Sequence, residues 1–179
     1  MVDLKLSRWF AVHTRCHHEK TVAQHLKLRG IEHLLPVYES ARRWKDRTKI
    51  LSLPLFAGYV FVQIAPLSMV RVLELPGVVK LVGYPKPQAL DQEEIDRIQQ
   101  WCAFPHLLEP HPYLQIGERV RVRRGPLADV EGILLRKKNS LRLVLSVDFI
   151  QRSVAVEVDA ADLAPESTRM PISGYSLRE

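Results

Sequence analysis

The stretch Leu55-Phe56-Ala57-Gly58-Tyr59-Val60-Phe61-Val62-Gln63-Ile64 packs three rings and three β-branched residues into ten positions. Such residues suit a pleated, half-buried surface, so Phe56–Ile64 is expected as a strand. Period-two alternation sets Tyr59 and Phe61 on one face and Val60 and Val62 on the other. Phe56, beyond Gly58, can join either. Working upstream, Arg8–Thr14 (RWFAVHT) reads as another strand. His18–Arg29 reads as a helix with Val22, Ala23 and Leu26 on one face and Lys20, Gln24 and Lys27 elsewhere. Gly30 stands where a left-handed residue would end it. Leu34–Glu39 is strand-like, and Arg42–Lys49 (RRWKDRTK) has the polarity of a hairpin tip. Downstream come a short helix over Leu67–Leu75, stopped by Pro76-Gly77, and a strand over Val78–Val82. A last helix starts at Asp91-Gln92-Glu93-Glu94, a capping-box-like signal, and carries Ile95 and Ile98 as its stripe. The order βαββαβα predicts an antiparallel sheet with helices packed beside it.

Between residues 103 and 115 the pattern changes. Pro105, Pro110 and Pro112 fall within eight positions and suit neither a helix nor a central strand, so a semi-rigid linker is expected. Beyond it the period is that of short strands: Arg119–Arg123, Ile133–Lys137, Leu141–Val147 and Val154–Val158, separated by turn residues such as Gly125-Pro126 and Lys138-Asn139-Ser140. Four or five strands in so short a stretch make a small barrel. Such a unit lies near the lower size limit for a self-sufficient core. The fold class is therefore α+β, with a sheet-and-helix domain over residues 1–104, a linker over 105–115, a barrel over 116–165 and a tail over 166–179.

Composition narrows the function. The 179 residues are 46% apolar and 26% charged, in the globular range. No apolar run is long enough to span a membrane, the N-terminus lacks a secretory pattern, and Cys16 and Cys102 make no disulfide framework. A soluble cytoplasmic monomer with reduced thiols is expected. The net charge of +6 is mild for a nucleic-acid binder, but residues 1–102 hold fifteen basic against ten acidic side chains, or +5 of it. Arg42–Lys49 alone carries five basic residues and one acid around Trp44. Arginine beside an aromatic ring can hold phosphates and stack an unpaired base. His13, His17, His18 and His25 with Cys16 lack metal-ligand spacing, and neither a phosphate loop nor a nucleophile elbow is present. No catalytic residue, cofactor or metal is expected.

Three ordered segments carry a family resemblance: Arg8-Trp9-Phe10-Ala11-Val12 with Glu19 at a helix start; Leu55–Val62 with Leu75-Pro76-Gly77-Val78; and Gly117-Glu118-Arg119-Val120-Arg121-Val122 leading to Gly125-Pro126-Leu127-Ala128-Asp129-Val130-Glu131-Gly132. Together they resemble the NusG family of transcription elongation factors, the first half looking like its N-terminal domain and the second like its SH3-like KOW barrel. His25-Leu26, Leu35-Pro36, the basic hairpin and Pro54-Leu55-Phe56 are most similar to the specialised paralogs, RfaH and the antiterminators of polysaccharide operons. Lys80-Leu81-Val82-Gly83 stands where housekeeping members usually have Gly-Phe-apolar-Gly.

The resemblance implies a binding protein that promotes processive elongation. Phe56, Tyr59 and Phe61 match positions that dock on the clamp helices of the RNA polymerase largest subunit, and His13 stands where a relative has tyrosine. His25 matches a histidine contacting the non-template DNA strand, and Arg15 a nearby lysine; Arg29 stands where a relative has glutamine. With Arg42, Arg43, Lys45 and Arg47 they form the expected nucleic-acid face. The barrel near Phe149-Ile150-Gln151-Arg152 corresponds to a surface that meets Rho or a ribosomal protein in relatives, although packing is the simpler role for Phe149. The RfaH barrel can refold to a helical hairpin. Here Gly125-Pro126, Gly132 and Val154-Ala155-Val156-Glu157-Val158 favour strands, so the barrel is expected to stay β. The alternatives are a housekeeping NusG and a KOW-bearing RNA- or ribosome-binding module.

Overall fold

In a computed structural model, residues 6–44, 47–111, 117–137, 140–147, 150–159 and 162–165 are described. The first half is built on a four-stranded antiparallel sheet of order β2-β5-β1-β6, with β1 at Arg8–Thr14, β2 at Glu32–Leu34, β5 at Tyr59–Ile64 and β6 at Val78–Leu81. β1 and β5 lie at the centre, and their register pairs Phe10 with Val62 and Val12 with Val60 on one face, Ala11 with Phe61 and His13 with Tyr59 on the other. Both faces are covered, which is why these strands are apolar almost throughout. Helix α1 (Glu19–Leu28) and the one-turn helix α2 (Val70–Leu73) close the first face through Val22, Leu26 and Val72. Helix α3 (Gln92–Cys102) covers the second through Ile95, Ile98 and Trp101.

Local chemistry sets these ends. Past Arg29, the Gly30 N–H donates to the Lys27 carbonyl and the Ile31 N–H to the Leu26 carbonyl, both at 3.0 Å, with Gly30 at φ +66°. That is a Schellman stop, sealed by the buried pair Leu26 and Ile31. At the start of α3, Asp91 occupies the N-cap position, but its side chain makes no capping hydrogen bond. The expected capping box therefore does not close there.

Several elements differ from the periodic reading. The strand expected over Leu34–Glu39 is broken at Leu35-Pro36, because proline cannot donate to a ladder. β2 ends before it, and β3 (Val37–Trp44) leaves the main sheet to pair only with β4 (Arg47–Pro54) as a two-stranded ribbon. The basic residues expected at a hairpin tip do lie at the tip end of this ribbon, where Arg42 pairs with Lys49, Arg43 with Thr48 and Trp44 with Arg47. β5 begins at Tyr59 rather than Phe56, since the chain turns at Gly58 (φ +84°) and the Tyr59 N–H donates to the Phe56 carbonyl at 3.0 Å. The short helix expected over Leu67–Leu75 divides into a 3-10 turn at Pro66–Ser68 and α2.

The second half is an all-β domain of order β12-β8-β9-β10-β11-β7. Its strands are β7 (Leu108–His111), β8 (Glu118–Val122), β9 (Glu131–Lys137), β10 (Ser140–Val147), β11 (Arg152–Val158) and β12 (Leu163–Pro165). β7 lies inside the stretch read as a linker. Pro110 is accommodated because β7 is an edge strand, paired on one side only, to β11. Gly132 sits where a Cβ would come within 2.6 Å of the Val144 carbonyl oxygen, so the backbones of β9 and β10 approach too closely for a side chain. The strands expected for this domain are strands here. Phe149 and the 166–179 tail lie outside the described residues.

The two halves share one core. A single buried cluster runs from Trp9, Phe56, Phe61, Ile95 and Trp101 into Leu127, Leu143, Leu145, Ile150 and Val154 of the all-β domain. The Gln100 side-chain amide also donates to the Ala128 carbonyl at 3.3 Å.

Candidate interaction surfaces

The first surface is the aromatic end of β5. Gly58 and Gly77 (φ +92°) form two loops that cradle the start of α1. The Gly58 N–H donates to the buried Glu19 carboxylate at 2.7 Å, its carbonyl accepts from the Thr14 N–H at 2.8 Å, and the Gly77 carbonyl accepts from the Arg15 N–H at 2.8 Å. A Cβ on Gly77 would sit 3.0 Å from the Cβ of His18. The Leu-Phe-Ala-Gly-Tyr and Leu-Pro-Gly-Val segments thus fix the helix against the strand that carries the rings.

Phe56 and Phe61 meet edge to face, with centroids 6.1 Å apart at 89°, and are only 1% and 0% exposed. Tyr59 is half-buried. Its ring lies 5.4 Å from that of His13, its cross-strand partner. The Arg152 guanidinium carbon lies 5.8 Å from the Tyr59 centroid. Of the three expected docking residues, then, two lie inside the shared core and the third lies beneath a cation from the all-β domain. The Arg152 contact spans 93 positions of chain, from 152 back to 59, and no local pattern announces it.

The second surface is basic. Arg42, Arg43, Arg47 and Lys49 are all exposed on the ribbon. The register sets Arg42 directly opposite Lys49, and Arg43 opposite Thr48. By alternation Arg42, Arg47 and Lys49 share one face, and Arg43 lies on the other. The Trp44 side chain and Lys45 lie outside the described residues. On α1 and the turn before it, Arg15 and Lys20 are exposed and His25 is half-buried, its Nδ1 enclosed without a hydrogen-bond partner. The Lys20 ammonium donates to the Ser52 carbonyl of β4, tying this end of α1 to the ribbon. Arg29 is not brought to that group. It stands at the opposite end of α1, roughly 15 Å along the axis, and donates to the Arg71 carbonyl at 2.8 Å.

Among the described residues no three His, Cys, Asp or Glu side chains gather as metal ligands would. No described helix is long and apolar enough to cross a membrane. Cys16 is exposed, whereas burial pushes the Cys102 thiol up from its ordinary 9.0 to about 11, partly offset by a backbone hydrogen bond from Val37.

Fold and surfaces define a class: an α+β domain bearing a ring-rich strand and a basic ribbon, closed over by an all-β domain. The family model described as "Transcription termination factor nusG" matches residues 7–99, more than half of the chain. The chain is 29% identical over 170 residues to the transcription termination/antitermination protein NusG of Halalkalibacterium halodurans, which covers 84% of this chain and 94% of that protein. Identity to NusG of Escherichia coli strain K12 is also 29%, over 177 residues, with 89% and 96% covered. A solved structure described as "Domain interaction in Thermotoga maritima NusG" superposes with a TM-score of 0.59 over 91% of this chain and 99% of that one; at 17% identity it shows the fold. The chain belongs to the NusG family.

Proposed function

We propose that this protein is a non-enzymatic transcription elongation factor of the specialised NusG type, promoting processive elongation and antitermination of particular operons. The observation that carries it is the ring cluster at the start of β5, held on a rigid sheet in a member of this family. Phe56, Tyr59 and Phe61 grip the clamp helices of the polymerase largest subunit, an apolar patch receiving a helix pair. The factor acts by differential affinity, favouring the closed, elongating state of the enzyme. With Phe56 and Phe61 enclosed, engagement first requires the all-β domain to swing away, exposing the rings and the neighbourhood of Ile150 and Arg152 together. That second face then receives Rho or a ribosomal protein.

Arg15, His25, Arg42, Arg43, Lys45 and Arg47 hold the non-template strand. Like charges directly opposite in a ladder repel, and the Arg42–Lys49 pair supports this reading because a phosphate between them turns repulsion into attraction. Only a few phosphates are held, so affinity for isolated DNA is weak and lost with salt.

The test is transcription by purified polymerase on terminator-bearing templates, with and without an upstream element from the operon served. Read-through confined to the element-bearing template is expected. Substituting Tyr59→Ala should weaken polymerase binding at least about tenfold with an unchanged circular dichroism spectrum. Equal read-through on every template would favour the housekeeping role, to which the similarity to NusG proteins along most of their length also points. No effect on any template would remove the polymerase reading.

A further inference from the structure

The sequence Arg119-Val120-Arg121-Val122-Arg123-Arg124 runs along β8 and just past its end. Val120 and Val122 are buried in the shared core, so period-two alternation turns Arg119 and Arg121 to the outer face of the all-β domain. The Arg123 N–H donates to the Asp162 carbonyl at 2.6 Å, which carries the β8–β12 ladder one residue further and extends the alternation to Arg123. All four arginines are exposed. Arg119 and Arg123, four strand residues apart, are separated by roughly 14 Å.

A solitary exposed arginine needs no explanation, but a row of them at fixed spacing carries an uneven charge pattern. The middle member is neutralised: Glu131, opposite Arg121 on β9, accepts from its guanidinium. Arg119 faces Ile133 across the same ladder. Arg119, Arg123 and Arg124 form no ion pair among the described residues, so the row presents free cations at its two ends and a compensated pair between them. Among the described residues the all-β domain exposes no large apolar side chain. A partner held here is therefore recognised by charge and spacing. β9 and β10 lie between β8 and β11, which carries Arg152, and the row turns away from the shared core. It stays open while the rings are covered.

We propose that this face of β8 is a docking surface for an extended acidic protein segment with carboxylates four residues apart. Such a segment has the same rise per residue as β8, so its acidic side chains fall on Arg119 and Arg123 together. The planar guanidinium matches the two oxygens of each carboxylate. Uncharged residues between them pass over the Arg121–Glu131 pair. Nucleic acid fits less well, because an unbroken row of phosphates meets the Glu131 carboxylate and the face offers no ring for a base to stack on. A second copy fits less well too, because a two-fold contact centred here sets arginine against arginine. This inference does not depend on the polymerase reading.

The test uses the full chain, labelled with 15N and titrated with four probes. These are a Ser/Thr peptide with Glu at every fourth position, its isomer with the same Glu residues in one block, its Lys-for-Glu counterpart, and a single-stranded oligonucleotide. The spaced-Glu peptide should shift the amides of residues 119–124 and leave those around Tyr59 in place. The double variant R119S/R123S should bind it about tenfold more weakly. Its thermal midpoint should stay close to the parent's, because both side chains are exposed. Absence of shifts at 119–124, equal shifts there with the block isomer or the Lys peptide, stronger shifts there with the oligonucleotide, or parental binding by the double variant would each overturn the proposal.

Discussion

Glu19 carries its carboxylate into the interior, 4% exposed, to receive the Gly58 N–H. Removing it leaves a buried donor unpaired at the point where the ring-bearing strand begins, so Glu19→Ala should lower stability by about 1–3 kcal/mol, measured by denaturant unfolding. Gly132→Ala should cost a similar amount, about 1–3 kcal/mol, because its Cβ would press on a backbone carbonyl and on Leu143, neither of which is a loose side-chain end. Cys102 gives a pH-dependent signal. Its thiol is raised to about 11, so the folded state holds the proton more tightly than the unfolded chain. The resulting stability is present below pH 9.0 and declines as pH rises toward about 11. Thermal unfolding between those limits should show a steeper fall for the parent than for Cys102→Ala. At this scale the sequence was legible where a residue's backbone decides its role. Gly30 as a helix stop was readable because a left-handed backbone there favours glycine, whereas the close approach at Gly132 shows only once β9 lies against β10. Glu19 as an interior acceptor was not readable, because its partner lies 39 positions away.

At the scale of elements, the ribbon tests the reading of charge. Arg42→Ala with Lys49→Ala removes the opposed cations, so DNA affinity should fall and the salt dependence of binding should flatten by about two phosphate contacts. Folding stability should be unchanged or slightly higher, since a repulsive cross-strand pair is gone; a clear loss would mean the pair is structural. The strands and helices themselves were largely readable from period and composition. Their partners were harder. Leu34–Glu39 reads as one strand of the sheet but splits at Leu35-Pro36, its second part joining β4 in a separate ribbon, and Leu108–His111 reads as linker and instead supplies an edge strand. Pairing is decided by the neighbour a strand meets, and no window of sequence contains that neighbour.

For the whole molecule the governing feature is the shared core. If the all-β domain must leave for the rings to be used, Arg152→Glu, which replaces the cation over Tyr59, should raise the open population. Cys102, half-buried against that core, then reports the change. At pH 8 its alkylation should be very slow in the parent and faster in the variant, with the exposed Cys16 as an internal standard. Identical Cys102 rates would separate the Arg152 contact from closure.

The sequence alone determined that this chain has two regimes of hydrophobic period, a ring-bearing strand, a concentration of positive charge before the prolines, and a family. These are properties of neighbouring residues, and local sterics and side-chain chemistry are enough to express them. Tertiary structure decided that Phe56 and Phe61 are interior in the closed chain, that Arg152 covers Tyr59, and that Arg29 joins Arg71 rather than the ribbon. Each depends on which surfaces meet once the chain has collapsed. Burial is a property of the pair of faces, and either face read singly carries no record of the other.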